Sequence, residues 1–268
     1  MSKSLNRRNF LKISAALAVV AGSKKNIQAI NDKISKEQEY YEYRIYKVND
    51  SKNKIKLENY LGKALIPALN RMNIDRIGVF TEIDKPNDFS IHLIIPYSSL
   101  ELFSEMNTKL LEDKDYINAA EEHFDVPLED PVFSRVQSNF FKAFAGMPII
   151  ELPQQSTENK PRIFELRKYE SHTEQKAALK IDMFNSGEIQ IMRDTELAPV
   201  FYGEALIGSD LPNLTYMLSA SDLESHKVHW SNFSAHPEWQ RMKKIPKYND
   251  TVSNITKIFL KPTDYSQI

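Results

Sequence analysis

Cysteine is absent from all 268 residues. That excludes disulfides, cysteine-ligated zinc, iron–sulfur ligation and a thiol nucleophile, and the fold must be held by its core alone. The seven glycines form no Gly-rich dinucleotide loop and no Walker motif, and neither Gly-x-Ser-x-Gly nor His-Glu-x-x-His occurs. An excess of one charge is also lacking. Basic residues number 35 against 36 acidic, a formal net charge of −1, which speaks against a nucleic-acid partner.

A long hydrophobic run is missing as well. Residues 13–21 are apolar, but a bilayer span needs roughly 20 such residues. The run follows Arg7-Arg8-Asn9-Phe10-Leu11-Lys12 and precedes Lys24-Lys25. This is the form of a twin-arginine signal peptide, expected over residues 1–29; a basic amphipathic helix is the alternative. The expected location is then periplasmic or secreted. No stable membrane anchor would remain after cleavage, because no cysteine is present for lipidation. The twin-arginine route carries folded proteins, which suits a cofactor loaded beforehand but does not require one, and the sequence assigns none.

What is present is a repetition. Glu42-Tyr43-Arg44-Ile45-Tyr46 returns as Glu165-Leu166-Arg167-Lys168-Tyr169, 123 residues on (165 − 42). The same offset carries Ser98-Ser99-Leu100-Glu101 onto Ser221-Asp222-Leu223-Glu224, and Asp115-Tyr116 onto Glu238-Trp239. A unit of this length is a small domain rather than a solenoid repeat. Repeats are expected over residues 38–147 and 161–268, with a linker rich in Pro, Gln, Ser and Asn over 148–160.

Each repeat reads as β-α-β-β-α-β. In the first, strands are expected at 40–48, 76–82, 89–96 and within 134–144. Leu57, Leu61, Leu65, Ala68 and Met72 mark a helix that Pro67 should kink. Ser98-x-x-Glu101 reads as a capping box for a second helix. In the second repeat, strands are expected at 162–169, 199–204, 213–219 and 255–260, with Ser171-x-x-Glu174 and Ser221-x-x-Glu224 as helix caps. The fold class is therefore α+β, a tandem duplication of the ferredoxin-like unit. Two helices cover one face of each sheet, so the open faces should pack together as an α/β barrel within one chain. Phe164 and Leu166 should then meet the helices, and Glu165, Arg167 and Tyr169 should face into the barrel, as should Glu42, Arg44 and Tyr46. Glu and Arg two apart on one face can satisfy each other.

Several segments resemble the NIPSNAP family. They are Arg162-Ile163-Phe164-Glu165-Leu166-Arg167-Lys168-Tyr169, Met183-Phe184-Asn185-Ser186-Gly187-Glu188, Pro199-Val200-Phe201-Tyr202-Gly203-Glu204, Pro212-Asn213-Leu214-Thr215-Tyr216-Met217, and Trp230-x-x-Phe233 with His236-Pro237-Glu238-Trp239. The likeness covers the second repeat and, more weakly, the first, where Asn107 stands for Trp230 and Lys114 for Pro237. The resemblance implies the dimeric α/β-barrel fold, here as a secreted two-repeat form. That superfamily includes haem-degrading and quinol-forming monooxygenases and peroxidase-like haem proteins. The NIPSNAP branch has no established reaction, and eukaryotic relatives act in vesicle trafficking and mitochondrial quality control.

The expected ligand-binding residues are Glu165, Arg167, Tyr169, Glu188, Tyr202, Tyr216 and Arg44, with Arg167 clamping an anionic or phenolic group. The competing reading makes Glu42, Arg44, Glu165 and Arg167 an inter-repeat ion-pair network that docks the two sheets. Asn185-Ser186-Gly187 either breaks a helix to place Glu188 at a cavity mouth or makes an ordinary turn. His226 and His229, three apart, are expected on a solvated helix face rather than on a metal, and His92 as a hydrogen-bonded sheet residue. Three functions remain open: binding of a small organic ligand, an oxidoreductase of monooxygenase type, and an oligomeric interaction protein. A homo-oligomer is possible in each.

Overall fold

The computed structural model describes residues 38–268; the twin-arginine segment lies outside them. Strand β1 (Tyr40–Lys47) alternates side chains between two faces and leads to α1 (Ser51–Tyr60), whose first turn is capped by Asp50 accepting from the Asn53 amide. A π-helical turn (Leu61–Leu65) joins α1 to α2 (Ile66–Arg71). Pro67 falls in the first turn of α2, directly after the π turn, where its missing N–H is least costly. Then come β2 (Gly78–Glu82), β3 (Ile91–Tyr97), α3 (Leu100–Glu112), α4 (Lys114–Ala119), α5 (Glu121–Phe124) and β4 (Arg135–Ala143).

After a short helix α6 (Gln154–Thr157) the order returns: β5 (Ile163–Glu170), α7 (Glu174–Met183), a π turn (Phe184–Glu188), α8 (Ile189–Asp194), β6 (Ala198–Ile207), β7 (Asn213–Ala220), α9 (Leu223–Ala235), α10 (Pro237–Met242) and β8 (Asn254–Pro262). The first strands, the π turns and the second long helices each start 123 residues apart (163 − 40, 184 − 61, 223 − 100). The last strands start only 119 apart (254 − 135), because α5 and its loop are longer than the single 3-10 turn (Pro246–Tyr248) before β8.

The three expected serine caps are each displaced. Ser99, Thr173 and Asp222 hold the N-cap positions. Ser171 instead donates to the Thr251 carbonyl in the interior. In runs of Ser, Thr and Asp several residues can cap, and the one with extended backbone at the helix entry does so.

The eight strands form a closed antiparallel barrel in the order β1-β3-β2-β8-β5-β7-β6-β4. Each half contributes four neighbouring strands. The seams are β2–β8, where Thr81 pairs Lys261, and β4–β6, where Lys142 pairs Glu204. No strand edge is left open. Inside the barrel, aromatic side chains from opposite halves meet edge-on: Tyr41 on Phe201 at 5.2 Å and Phe80 on Phe164 at 5.0 Å between ring centres. Such pairs add about 0.5–1.5 kcal/mol beyond area burial. Outside, each half has its own core of helix against sheet.

The expected facing of the first strands is reversed. Tyr41, Tyr43, Phe164 and Leu166 belong to the barrel interior, whereas Glu42, Arg44, Glu165 and Arg167 lie beneath the helices. The physical reason is satisfaction of polar groups. Eight converging strands fill the interior with their own apolar side chains. The helices bring donors and acceptors to the outer face, among them His226 and Trp230 for Glu165.

Candidate functional site

Six of the expected residues gather in one layer, between the sheet and the helices of the second half. Glu165 on β5 accepts from Arg167 at 2.9 Å and from the Trp230 indole at 2.9 Å, and His226 Nε2 lies 2.9 Å from the same carboxylate oxygen as the indole. The Arg167 guanidinium stacks over the Trp230 ring at 4.5 Å. Tyr216 donates to the Tyr169 hydroxyl at 2.9 Å, and Tyr202 to the Met192 sulfur at 2.9 Å. Glu188 is buried and paired with buried Lys180 at 2.6 Å. It therefore does not stand at a cavity mouth. The helix is broken here, as one of the two expectations had it: the chain kinks between α7 and α8 at Gly187, whose φ of +148° other residues rarely adopt.

Arg44, the seventh, is in the matching layer of the first half. It forks onto Glu42 at 2.7 and 2.8 Å. Glu42 also accepts from Tyr97 at 3.0 Å and from Ser138 at 2.7 Å, while Tyr46 accepts from Arg44 at 3.4 Å. Glu and Arg two apart do supply each other, but within each half. They do not form a network between the repeats. His226 is buried and bonded to Glu165, so it is not on a solvated face. Burial raises the Glu165 carboxyl, but the His226 hydrogen bond and the Arg167 charge outweigh it and hold the group below the usual range. For Glu188 burial wins over Lys180 and the carboxyl is raised.

A cavity of about 450 Å³ lies elsewhere, at one end of the barrel. None of the seven expected residues lines it, although Leu166 and Lys168, the inward neighbours of Arg167, do. The other end is packed by Phe80, Phe164, Phe201, Met217 and Leu260. At the hollow end Phe141, Leu166 and Ile258 make an apolar wall, and Tyr43, His92 and Glu82 a polar one. Tyr43 Oη lies 2.6 Å from His92 Nδ1. Glu82 Oε1 is 3.5 Å from His92 Nε2, beyond good hydrogen-bond length, and Nε2 has no hydrogen-bond partner although the ring is 1 % exposed. Lys85 holds Glu82 from outside at 2.9 Å.

Protonation follows from burial. The imidazole is pushed down to about 4, first by desolvation; the Glu82 charge pulls the other way and Lys47 adds to the depression. Tyr43 is raised by burial, so its hydroxyl keeps its proton and can either donate to Nδ1 or accept from it. The Glu82 carboxylate, 3.5 Å from Nε2, can only accept and so favours the ring proton there, which makes Tyr43 the donor to Nδ1.

The polar wall belongs to one half only. Through the strand registers Tyr43, His92 and Glu82 correspond to Leu166, Thr215 and Ala205. His92 is a hydrogen-bonded sheet residue, as expected, but it is also cavity wall. The signal that could have found it is a lone histidine in Ile91-His92-Leu93-Ile94-Ile95, a strand apolar on both faces. Among the described residues no group of three or more His, Asp or Glu side chains could hold a metal ion.

Residues 164–267 match the NIPSNAP family profile, so the second half carries a NIPSNAP domain. Among solved structures, a provisionally named monooxygenase from Lactobacillus acidophilus superposes with a TM-score of 0.56 at 8 % identity, over 84 % of this chain and 94 % of its own. A second provisionally named monooxygenase, from Fusobacterium nucleatum, gives 0.50 at 10 % identity over 84 % and 92 %. A NIPSNAP-like domain protein from Burkholderia xenovorans is 24 % identical over 39 % of this chain and 88 % of its own, with a TM-score of 0.36. The two full-length likenesses establish the fold alone: a mixed α/β protein with a closed barrel. No curated protein sequence matches at a significant level.

Proposed function

We propose that the chain is an exported NIPSNAP-type protein that binds a small organic ligand in the mouth of its barrel. The observation that carries this is the cavity itself, whose size lies within the usual range for ligand pockets and which sets an apolar wall against a few convergent polar groups. The divergence of the two interior faces supports it, since packing alone would be served by Leu, Thr and Ala in both halves. The common 123-residue spacing of the elements supports descent from a duplicated ferredoxin-like unit. The ion pairs at Glu42–Arg44 and Glu165–Arg167 then serve helix docking in each half rather than the ligand.

Thr256 lines the cavity from an exposed position on β8, so a larger side chain there can fill the mouth with little strain on the core. Native mass spectrometry of protein from its exporting host should show a retained molecule in the wild type, lost in Thr256→Trp and kept in Glu165→Gln. Retention by Thr256→Trp would place the ligand elsewhere. Export rests on Arg7-Arg8-Asn9-Phe10-Leu11-Lys12. Arg7→Lys with Arg8→Lys should leave the precursor in the cytoplasm, and unchanged export of that variant would remove the twin-arginine reading.

A further inference from the structure

We propose that the barrel mouth is a catalytic site for proton transfer at a carbon next to a carbonyl group, with Glu82 as the base and His92 as the hydrogen-bond donor to the carbonyl oxygen. This rests on the ligand reading above and names the substrate class as small, mostly apolar ketones.

Three observations converge. A donor and an acceptor stand side by side on the cavity wall, His92 Nε2 and Glu82 Oε1, 3.5 Å apart and not satisfying each other. A buried N–H without a partner is costly in a folded protein, and a ligand oxygen would satisfy it. A carbonyl oxygen placed on Nε2–H brings the adjacent C–H towards the Glu82 carboxylate. With the Glu82 carboxylate favouring the proton on Nε2, Tyr43 donates to Nδ1 at 2.6 Å and steadies that tautomer. The wall of Phe141, Leu166 and Ile258 suits an apolar substrate body, and a fixed donor beside it stabilises an enolate.

The step balances within the site. A Glu82 oxygen takes the α-proton; the C–H electron pair becomes the C=C bond, and the carbonyl π pair moves to oxygen, where the enolate accepts from Nε2–H. Glu82, now carrying the proton, returns it to the same carbon, which gives exchange, or to a conjugated carbon, which gives isomerisation. No oxidant or reductant is needed. Because the second half has Leu166, Thr215 and Ala205 at these positions, one site per chain is expected.

The test uses the full chain with cyclohexanone, 2-tetralone and phenylpyruvate. Binding is read by titration calorimetry and α-deuteration by proton NMR in D₂O. At least one ketone should bind saturably and exchange faster than in buffer. Glu82→Gln should lower the exchange rate about 100-fold or more while leaving ketone affinity within a few-fold, and His92→Gln should lower it about 10-fold or more. Tyr43 is a positioning residue: Tyr43→Phe should turn the single His92 tautomer in nitrogen-15 spectra into a mixture. Should Glu82→Gln fail to fold, Glu82→Asp, with the base one methylene short, replaces it. Saturable binding without exchange above buffer, or exchange indifferent to Glu82, overturns the catalytic assignment and leaves the ligand site standing. Absence of ketone binding beside a retained molecule that Thr256→Trp releases overturns the substrate class and with it the proposal. If no molecule depends on Thr256 either, both readings fall.

Discussion

Glu188→Ala should destabilise the fold by about 3–5 kcal/mol, the cost of leaving one member of a buried ion pair alone. Glu188 is 1 % and Lys180 5 % exposed, and the two touch at 2.6 Å. Around the ammonium stand the rings of Phe184 at 4.5 Å, Trp239 at 5.6 Å and Tyr169 at 5.7 Å. Their π faces recover part of the loss, about 0.5–2 kcal/mol, but cannot replace a carboxylate. With roughly 2–4 °C per kcal/mol for a chain of this size, the melting temperature should fall by about 6–20 °C. The paired replacement Lys180→Met with Glu188→Leu should behave differently. Burial holds the Glu188 carboxyl above its ordinary value even beside Lys180. At neutral pH its charge therefore carries a net burial penalty, and removing both charges should be close to neutral or stabilising. Urea unfolding of the two variants checks this. A loss below about 1 kcal/mol for Glu188→Ala would mean that the aromatic rings, rather than Glu188, hold the lysine.

The contrast between those two layers and the barrel mouth shows where sequence reading stops. Strand and helix positions were legible because each half shows its alternation, and because the 123-residue offset recurs in three separate words. Which face of the first strand turns inward was not legible. Phe164 and Leu166 alternate with Glu165, Arg167 and Tyr169, and both sets end up in protein. The choice depends on barrel closure, in which the other half supplies apolar partners such as Phe80 for Phe164, and on the helices bringing His226 to Glu165 from 61 residues away. The seven expected residues lie on the helix side of the sheet instead of in the barrel, and the Glu–Arg pairing expected of them is present within each half. His92 carried too little local signal, since Tyr43 and Glu82 meet it only through the β1–β3 and β2–β3 pairings.

Acidification from pH 6.5 to 4 should cost about 3 kcal/mol of stability through His92 alone. In the unfolded chain a histidine titrates near 6.5; in the fold it is pushed down to about 4. The difference, about 2.5 pH units at 1.36 kcal/mol each, sets the size. Between these values the unfolded chain binds the extra proton and the fold does not, so stability is complete above pH 6.5 and is lost as pH falls towards 4. The surrounding charges act in both directions: Glu82 and Asp88 raise the imidazole, Lys47 and Lys85 lower it, and desolvation outweighs them all. Urea midpoints measured from pH 7.5 to 4 should therefore decline across this window, and His92→Gln should flatten the decline. An equal slope in that variant would remove His92 as its cause. Glu165 is separable, because its carboxyl is held below the usual range. Its contribution is present above the unfolded carboxylate value, about 4.3, and is lost only at lower pH, so Glu165→Gln should change the profile there and not above. The same burial that makes the fold acid-labile keeps the imidazole neutral at neutral pH, which leaves Nε2–H as a donor beside Glu82 instead of an imidazolium neutralising it.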